Sequence, residues 1–216
     1  MKVLKVLAMA VALSATTIMP GMAFEMEKDS AEWSSNPDCM VTMYLGMPSA
    51  EYENNFSDIK GWKRSVINNY NVLYPCHHTQ FLREEPAPFS NKVIKQERLI
   101  SIIREDWDSL EKAEIYFCYR KKENGANYNY KKEVLPAIQE LQRIQKQVKD
   151  NMIKKYGQPT KVSNKKTIKD NSGRIIADEE NTEWIIGDER YSIFYGASGD
   201  PRAQTIGTVA FSHTTK

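Results

Sequence analysis

The sequence has few of the residues that carry chemistry: three cysteines and three histidines in 216 residues, with no Gly-x-Ser-x-Gly elbow and no glycine-rich phosphate loop. Serine-hydrolase and nucleotide-binding readings therefore have no motif to rest on. A second long apolar run is also missing after residue 18, which leaves no transmembrane segment in the rest of the chain. Charge of one sign is not in excess either. Without Lys2 and Lys5, basic and acidic residues balance at 28 each, and that balance does not suggest a nucleic-acid partner.

What is present begins with an export signal. Met1-Lys2-Val3-Leu4-Lys5 is short and basic, Val6 to Ile18 is apolar apart from small hydroxyl residues, and Gly21-Met22-Ala23 places small residues before a cleavage point. The pattern predicts a cleavable bacterial-type signal over residues 1–23 and a soluble mature chain from Phe24, periplasmic or extracellular. No cysteine follows the cleavage point to accept a lipid. Aliphatic and aromatic residues spread along the remainder argue for a packed domain.

Cys39, Cys76 and Cys118 survive maturation. An oxidising compartment predicts one disulfide and one remaining thiol, with three pairings open. Cys118 alternates with Ile115, Phe117 and Tyr119 in a strand-like segment and reads as a buried thiol. That favours Cys39–Cys76, which would contribute about 3 to 4 kcal/mol if unstrained. Cys76-His77-His78 is the densest group of metal-ligand side chains. Consecutive strand histidines point to opposite faces, so His77 and His78 are weak metal candidates, and no metal, cofactor or catalytic residue is assigned.

The strongest periodic signal runs from Lys131 to Pro159. On a helical wheel Ile138, Leu141, Val148, Met152 and Tyr156 all fall within about 40° of Val134, and Leu135, Ile144 and Ile153 widen the stripe to the kind that covers a sheet. Pro136 is tolerable only in a first turn, which predicts a start near Glu133 with Asn127 or Asn129 as cap. Gly157 and Pro159 end the helix. Gln145 and Lys149 interrupt the stripe: the lysine can keep its ammonium in water, whereas the glutamine needs a partner if buried.

Elsewhere the pattern is of strands. Ser49 caps a short helix from Ala50 to Phe56; Trp62 to Tyr74 reads as a hairpin turning at 68–71; Thr79 to Arg83 reads as a strand, and Glu85-Pro86-Ala87-Pro88 as an extended loop. Residues 91–107 fit helix or strand, and Glu111 to Arg120 is a strand with Ala113, Ile115, Phe117 and Tyr119 on one face. After Pro159 a meander is expected: Lys161 to Lys169, Arg174 to Ala177, Thr182 to Ile186, Arg190 to Tyr195 and Thr205 to Ser212. Trp184, Ile186, Ile193 and Tyr195 are candidates to meet the helix.

Leu45-Gly46-Met47-Pro48-Ser49 leads through a short helix to Gly61-Trp62, and the long helix leads through Tyr156-Gly157-Gln158-Pro159 to strands carrying Trp184. These junctions resemble the helix-then-hairpin modules of small bacterial envelope proteins, among them the outer-membrane-assembly lipoproteins and the β-lactamase inhibitor protein. Pro48 stands where that motif has Ser or Thr, and Gly61 is not followed by proline. The resemblance implies a binding or scaffolding role and carries over no catalytic residue.

Charge is distinctive in one place. Residues 131–169 hold eleven basic and three acidic residues. The run reads first as a solvated face and a lysine-protected strand edge, and second as a docking surface for lipid headgroups or an acidic protein, with Lys154, Lys155, Lys165 and Lys166 as its contacts.

The expectation is thus an α+β protein, an antiparallel sheet packed against a long amphipathic helix and divisible into two similar sub-modules, 24–125 and 126–216. Its expected role is that of an exported, soluble, non-catalytic binding protein of the bacterial envelope, the partner being a protein or an anionic envelope component. The rival reading is a thiol- or metal-dependent enzyme using Cys76, His77 and His78.

Overall fold

The computed structural model describes residues 22–24, 43–44, 46–56, 61–70, 75–123, 127–163 and 165–215. Two short strands, β1 (Met22–Phe24) and β2 (Met43–Tyr44), pair with each other, and the helix α1 spans Ser49–Phe56. Four long strands follow: β3 (Lys63–Tyr70), β4 (Pro75–Ala87), β5 (Ser90–Arg104) and β6 (Ser109–Lys121). The helix α2 (Leu135–Tyr156) then leads to β7 (Lys161–Val162), β8 (Lys166–Lys169), β9 (Ile175–Ile186), β10 (Glu189–Ala197) and β11 (Thr205–Thr215). Nine of these strands form one sheet in the order β3-β4-β5-β6-β11-β10-β9-β7, with β8 also on β9. Every pairing is antiparallel. The class is therefore α+β, helix on sheet, and no described helix is long and apolar enough to cross a membrane.

Register explains the core. Tyr191, His213, Ala113, Ser101 and Thr79 form one cross-strand row, and Ile193, Phe211, Ile115, Leu99 and Phe81 form the next. All ten are buried. Period-2 alternation puts them on the same side of the sheet, and both helices lie there. From α1, the Tyr52 hydroxyl donates to Ser101 Oγ at 3.0 Å, and burial pushes that hydroxyl's pKa up to about 12. From α2, Ala137, Ile138, Leu141, Ile144, Val148 and Met152 are buried.

α2 is preceded by a wide helical turn that starts earlier than its proline suggests. Asn129 caps a single wide turn over Tyr130–Val134, accepting from Lys132 N at 3.1 Å, while Glu133 Oε2 accepts from Asn129 N at 2.6 Å. This is a reciprocal capping box. Leu135 N–H reaches back five residues to Tyr130 O, and Pro136, which has no N–H to continue an ordinary ladder, follows directly. At the other end Gly157 adopts φ 82°, the left-handed conformation that favours glycine, and its carbonyl accepts from Trp184 Nε1 at 3.0 Å.

Several expected boundaries move. Residues 68–70 continue β3 instead of turning, and Glu85 to Ala87 continue β4, whose Pro86 pairs with Ile94. Proline is tolerated there because β3 ends its pairing at Leu82, so no ladder on that side is broken. The ambiguous 91–107 segment is strand, Lys161 to Lys169 is two short strands, and Arg174 to Ile186 holds one strand in place of two. Trp184, Ile193 and Tyr195 are buried as expected, but Ile186 is 37% exposed at the end of β9.

Candidate functional site

Among the described residues both helices lie on one side, and no described helix packs on the other face of the sheet. Its central row runs Leu82, Arg98, Tyr116, Ala210, Phe194 and Asn181, across β4, β5, β6, β11, β10 and β9. Phe194 is 46% exposed, whereas Ala210 beside it is buried. A Cβ on Gly196 would lie 2.9 Å from the Phe194 ring, so the ring lies along its own strand over the glycine. That contact fixes the ring flat on the sheet with its outer face in water, an aromatic covering a strand glycine.

Polar side chains around this row are held by one another. Tyr116 OH donates to Glu114 Oε2 at 2.7 Å, and Lys112 Nζ lies 2.6 Å from Glu114 Oε1. Gln96 Nε2 and Arg120 Nη2 both donate to Glu84 Oε1, at 2.7 and 2.8 Å. The Arg120 bond, then that from Gln96, holds the Glu84 carboxyl below the usual range. Arg98 Nε donates to Gln96 Oε1 at 2.7 Å, an uncharged partner. Burial pushes the Tyr116 hydroxyl and the Cys118 thiol up, against a lowering from Arg98. The surface is preorganised and shallow, with its acids neutralised in place.

The Cys76-His77-His78 segment lies in β4 and divides as the strand period requires. His77 shares the helix face, its Nδ1 4.0 Å from Glu105 Oε1; His78 is on the open face, its Nε2 4.0 Å from Cys76 Sγ. Burial first, then Glu111 and Glu105, raise the Cys76 thiol, the opposite of what activates a nucleophile. No group of three metal-ligating side chains forms among the described residues. Cys39 lies outside the described residues, and with it the expected Cys39–Cys76 bond.

The basic run meets an acidic strand. Lys149 Nζ pairs with Glu180 at 2.5 Å instead of reaching solvent, and the same carboxylate gives buried Gln145 the partner it needs. Lys165 Nζ lies 3.7 Å from Asp178, while Lys161 and Lys166 stand opposite Glu183 and Glu179 in the ladder. Lys154 and Lys155 end α2. The four lysines predicted as contacts are thus split, two over acids of β9 and two on the helix end. Four acids of β9 thus stand against four lysines of the run, half of the excess charge that it shows in isolation.

Comparison with known proteins gives no matching family, no matching curated protein and no matching solved structure. The likeness to envelope modules therefore rests on the junction residues quoted above.

The open-face residues are hard to read from the sequence because apolar strand residues look alike whichever face they take. Tyr116 and Cys118 were visible as the alternate face of β6. For Phe194 the readable signal is Phe194-Tyr195-Gly196 inside a strand, an aromatic two residues before a glycine.

Proposed function

We propose that this is an exported, non-catalytic binding protein of the bacterial envelope that docks a partner protein on the open face of its sheet. One observation carries the reading: α1 and α2 cover the same side, leaving a nine-stranded face with a pinned, half-exposed aromatic at its centre. Flat aromatics held without loss of side-chain freedom are favoured contact residues.

Two similar sub-modules are part of the proposal. A helix followed by an antiparallel meander occurs twice, α1 with β3 to β6 and α2 with β7 to β11. The last strand of each, β6 and β11, abut at the middle of the sheet. The envelope modules resembled by the junction motifs have this helix-then-hairpin grammar, and a binding role is what that resemblance implies.

The test uses the mature chain as bait in an envelope extract, comparing the wild type with Phe194→Ala/Tyr116→Ala and with charge reversal at Lys154, Lys155, Lys165 and Lys166. Loss of the captured partner in the open-face variant, with retention in the lysine variant, supports the reading. Retention in the first and loss in the second moves the docking surface to the basic end of α2 and overturns it. Export is checked separately, by the mass of the mature N-terminus after fractionation.

A further inference from the structure

We infer that the partner presents an acidic protein surface, received by Arg98 with the Tyr116 and Phe194 rings beside it in the same row. The inference rests on the open-face reading and adds the chemistry of what docks there. Register assigns Arg98, Arg104, Lys112, Arg120 and Arg190 to the open side of β5, β6 and β10. On β4, β5, β6, β11, β10 and β9 register places Glu84, Glu114, Glu179 and Glu183 on the same side; Glu84 and Glu114 are bonded to Arg120 and Lys112, and Glu179 and Glu183 stand opposite Lys166 and Lys161 in the ladder. Arg104 is paired with Asp106. What remains is Arg98, near the centre of the face and joined to an amide oxygen, and Arg190, exposed toward one end. A chain with no net charge once residues 1–23 are removed thus presents a cationic centre on the sheet face that no described helix covers.

The guanidinium of Arg98 stands in line with Tyr116 and, across buried Ala210, with Phe194. Ala210 is the small residue between the two rings in the row, the half-exposed Phe194 ring offers an apolar contact, and Arg98 supplies fork geometry for a carboxylate. A protein strand or loop can offer both groups at side-chain spacing. An anionic bilayer fits less well, because its headgroups present charge without an apolar side chain set beside it at that spacing. A nucleic-acid backbone needs several phosphate contacts in succession, and the central row of the face holds one cation, Arg98.

Arg98 and Phe194 sit on the surface of a long-stranded sheet, so their substitution leaves the core intact. The experiment titrates the mature protein with a synthetic peptide rich in aspartate and glutamate around one central leucine, with its lysine-substituted counterpart and with phosphatidylglycerol vesicles, following backbone amide shifts. The acidic peptide is expected to shift outward-facing residues of β5, β6, β10 and β11. Arg98→Glu should weaken it about tenfold or more, and Gly196→Ala, which displaces the Phe194 ring, should weaken it with the melting curve followed in parallel. Binding of the lysine peptide on the same face, or vesicle binding with loss of the peptide effect, overturns the acidic-protein assignment while leaving the docking surface in place. Shifts confined to the helix side, or no binding by any probe, overturn both.

Discussion

His213 is fully buried at the end of β11, its ring stacked on Tyr191 at 4.0 Å between centroids. Its Nε2 is 3.0 Å from Glu189 Oε2, and Tyr191 OH donates to that oxygen at 2.7 Å. A carboxylate only accepts, so Nε2 carries the proton and buried Nδ1 is left without a hydrogen-bond partner among the described residues. Burial lowers the His213 pKa, Glu189 opposes that, and Lys155 adds to it. The unfolded chain takes up a proton below about pH 6.5 that the folded protein refuses, so stability present above that pH is lost as it falls toward the depressed folded value. We expect the thermal midpoint to drop between about pH 7 and 5 in the wild type and to stay level in His213→Phe; equal slopes in the two proteins would exclude His213 as the cause. At this scale the sequence was partly legible. Gln145 was recognisable as needing a partner, but that partner, Glu180, lies on a strand 35 residues later, and the same acid turned Lys149 inward.

At the scale of elements, the seat of α2 on the sheet depends on Gly207. A Cβ there would come within 2.7 Å of Leu141 Cδ1 and 2.8 Å of Gly196 O. Gly207→Ala should therefore lift the helix and cost about 1 to 3 kcal/mol, read as a lower denaturant midpoint with an unchanged slope; a neutral result would mean that α2 shifts freely. Asp178 ties three elements together beneath the same helix, accepting from Gln142 at 2.9 Å, Thr167 at 2.6 Å and Tyr195 at 2.9 Å. Burial raises this carboxyl, and those bonds together with Lys165 bring it below its ordinary value. Its contribution is present above about pH 4 and lost as the pH falls below that. Asp178→Asn is expected to cost about 2 to 3 kcal/mol and to speed hydrogen exchange first in β8, whose four residues are all exposed. Protection of β8 unchanged from wild type would show that the latch lies elsewhere. The helix was legible because its stripe repeats over six turns. The strands were less so, since residues such as Asn68, Asn69 and Pro86 are turn formers by local preference, and pairing with β4 or β5 overrode them.

For the whole molecule the decisive pairing is β6 with β11, joining Thr208 to Cys118 and Phe211 to Ile115. No local pattern announces a contact between segments so far apart in sequence, which is why an antiparallel sheet was legible but not the strands that join its two halves. Rows such as Ile193, Phe211, Ile115, Leu99 and Phe81 cross that junction without a polar break. Destabilising one half should therefore open the other. Phe81, buried in β4 near one end of the row, is far from β10, so Phe81→Ala probes this directly. The expected cost is about 3 to 5 kcal/mol, and under global exchange conditions the slowest amides of β10 and β11 should lose as much protection as those of β4 and β5. If only β4 and β5 respond while Tyr195 and Val209 keep theirs, the halves unfold separately and the shared row contributes shape without cooperativity.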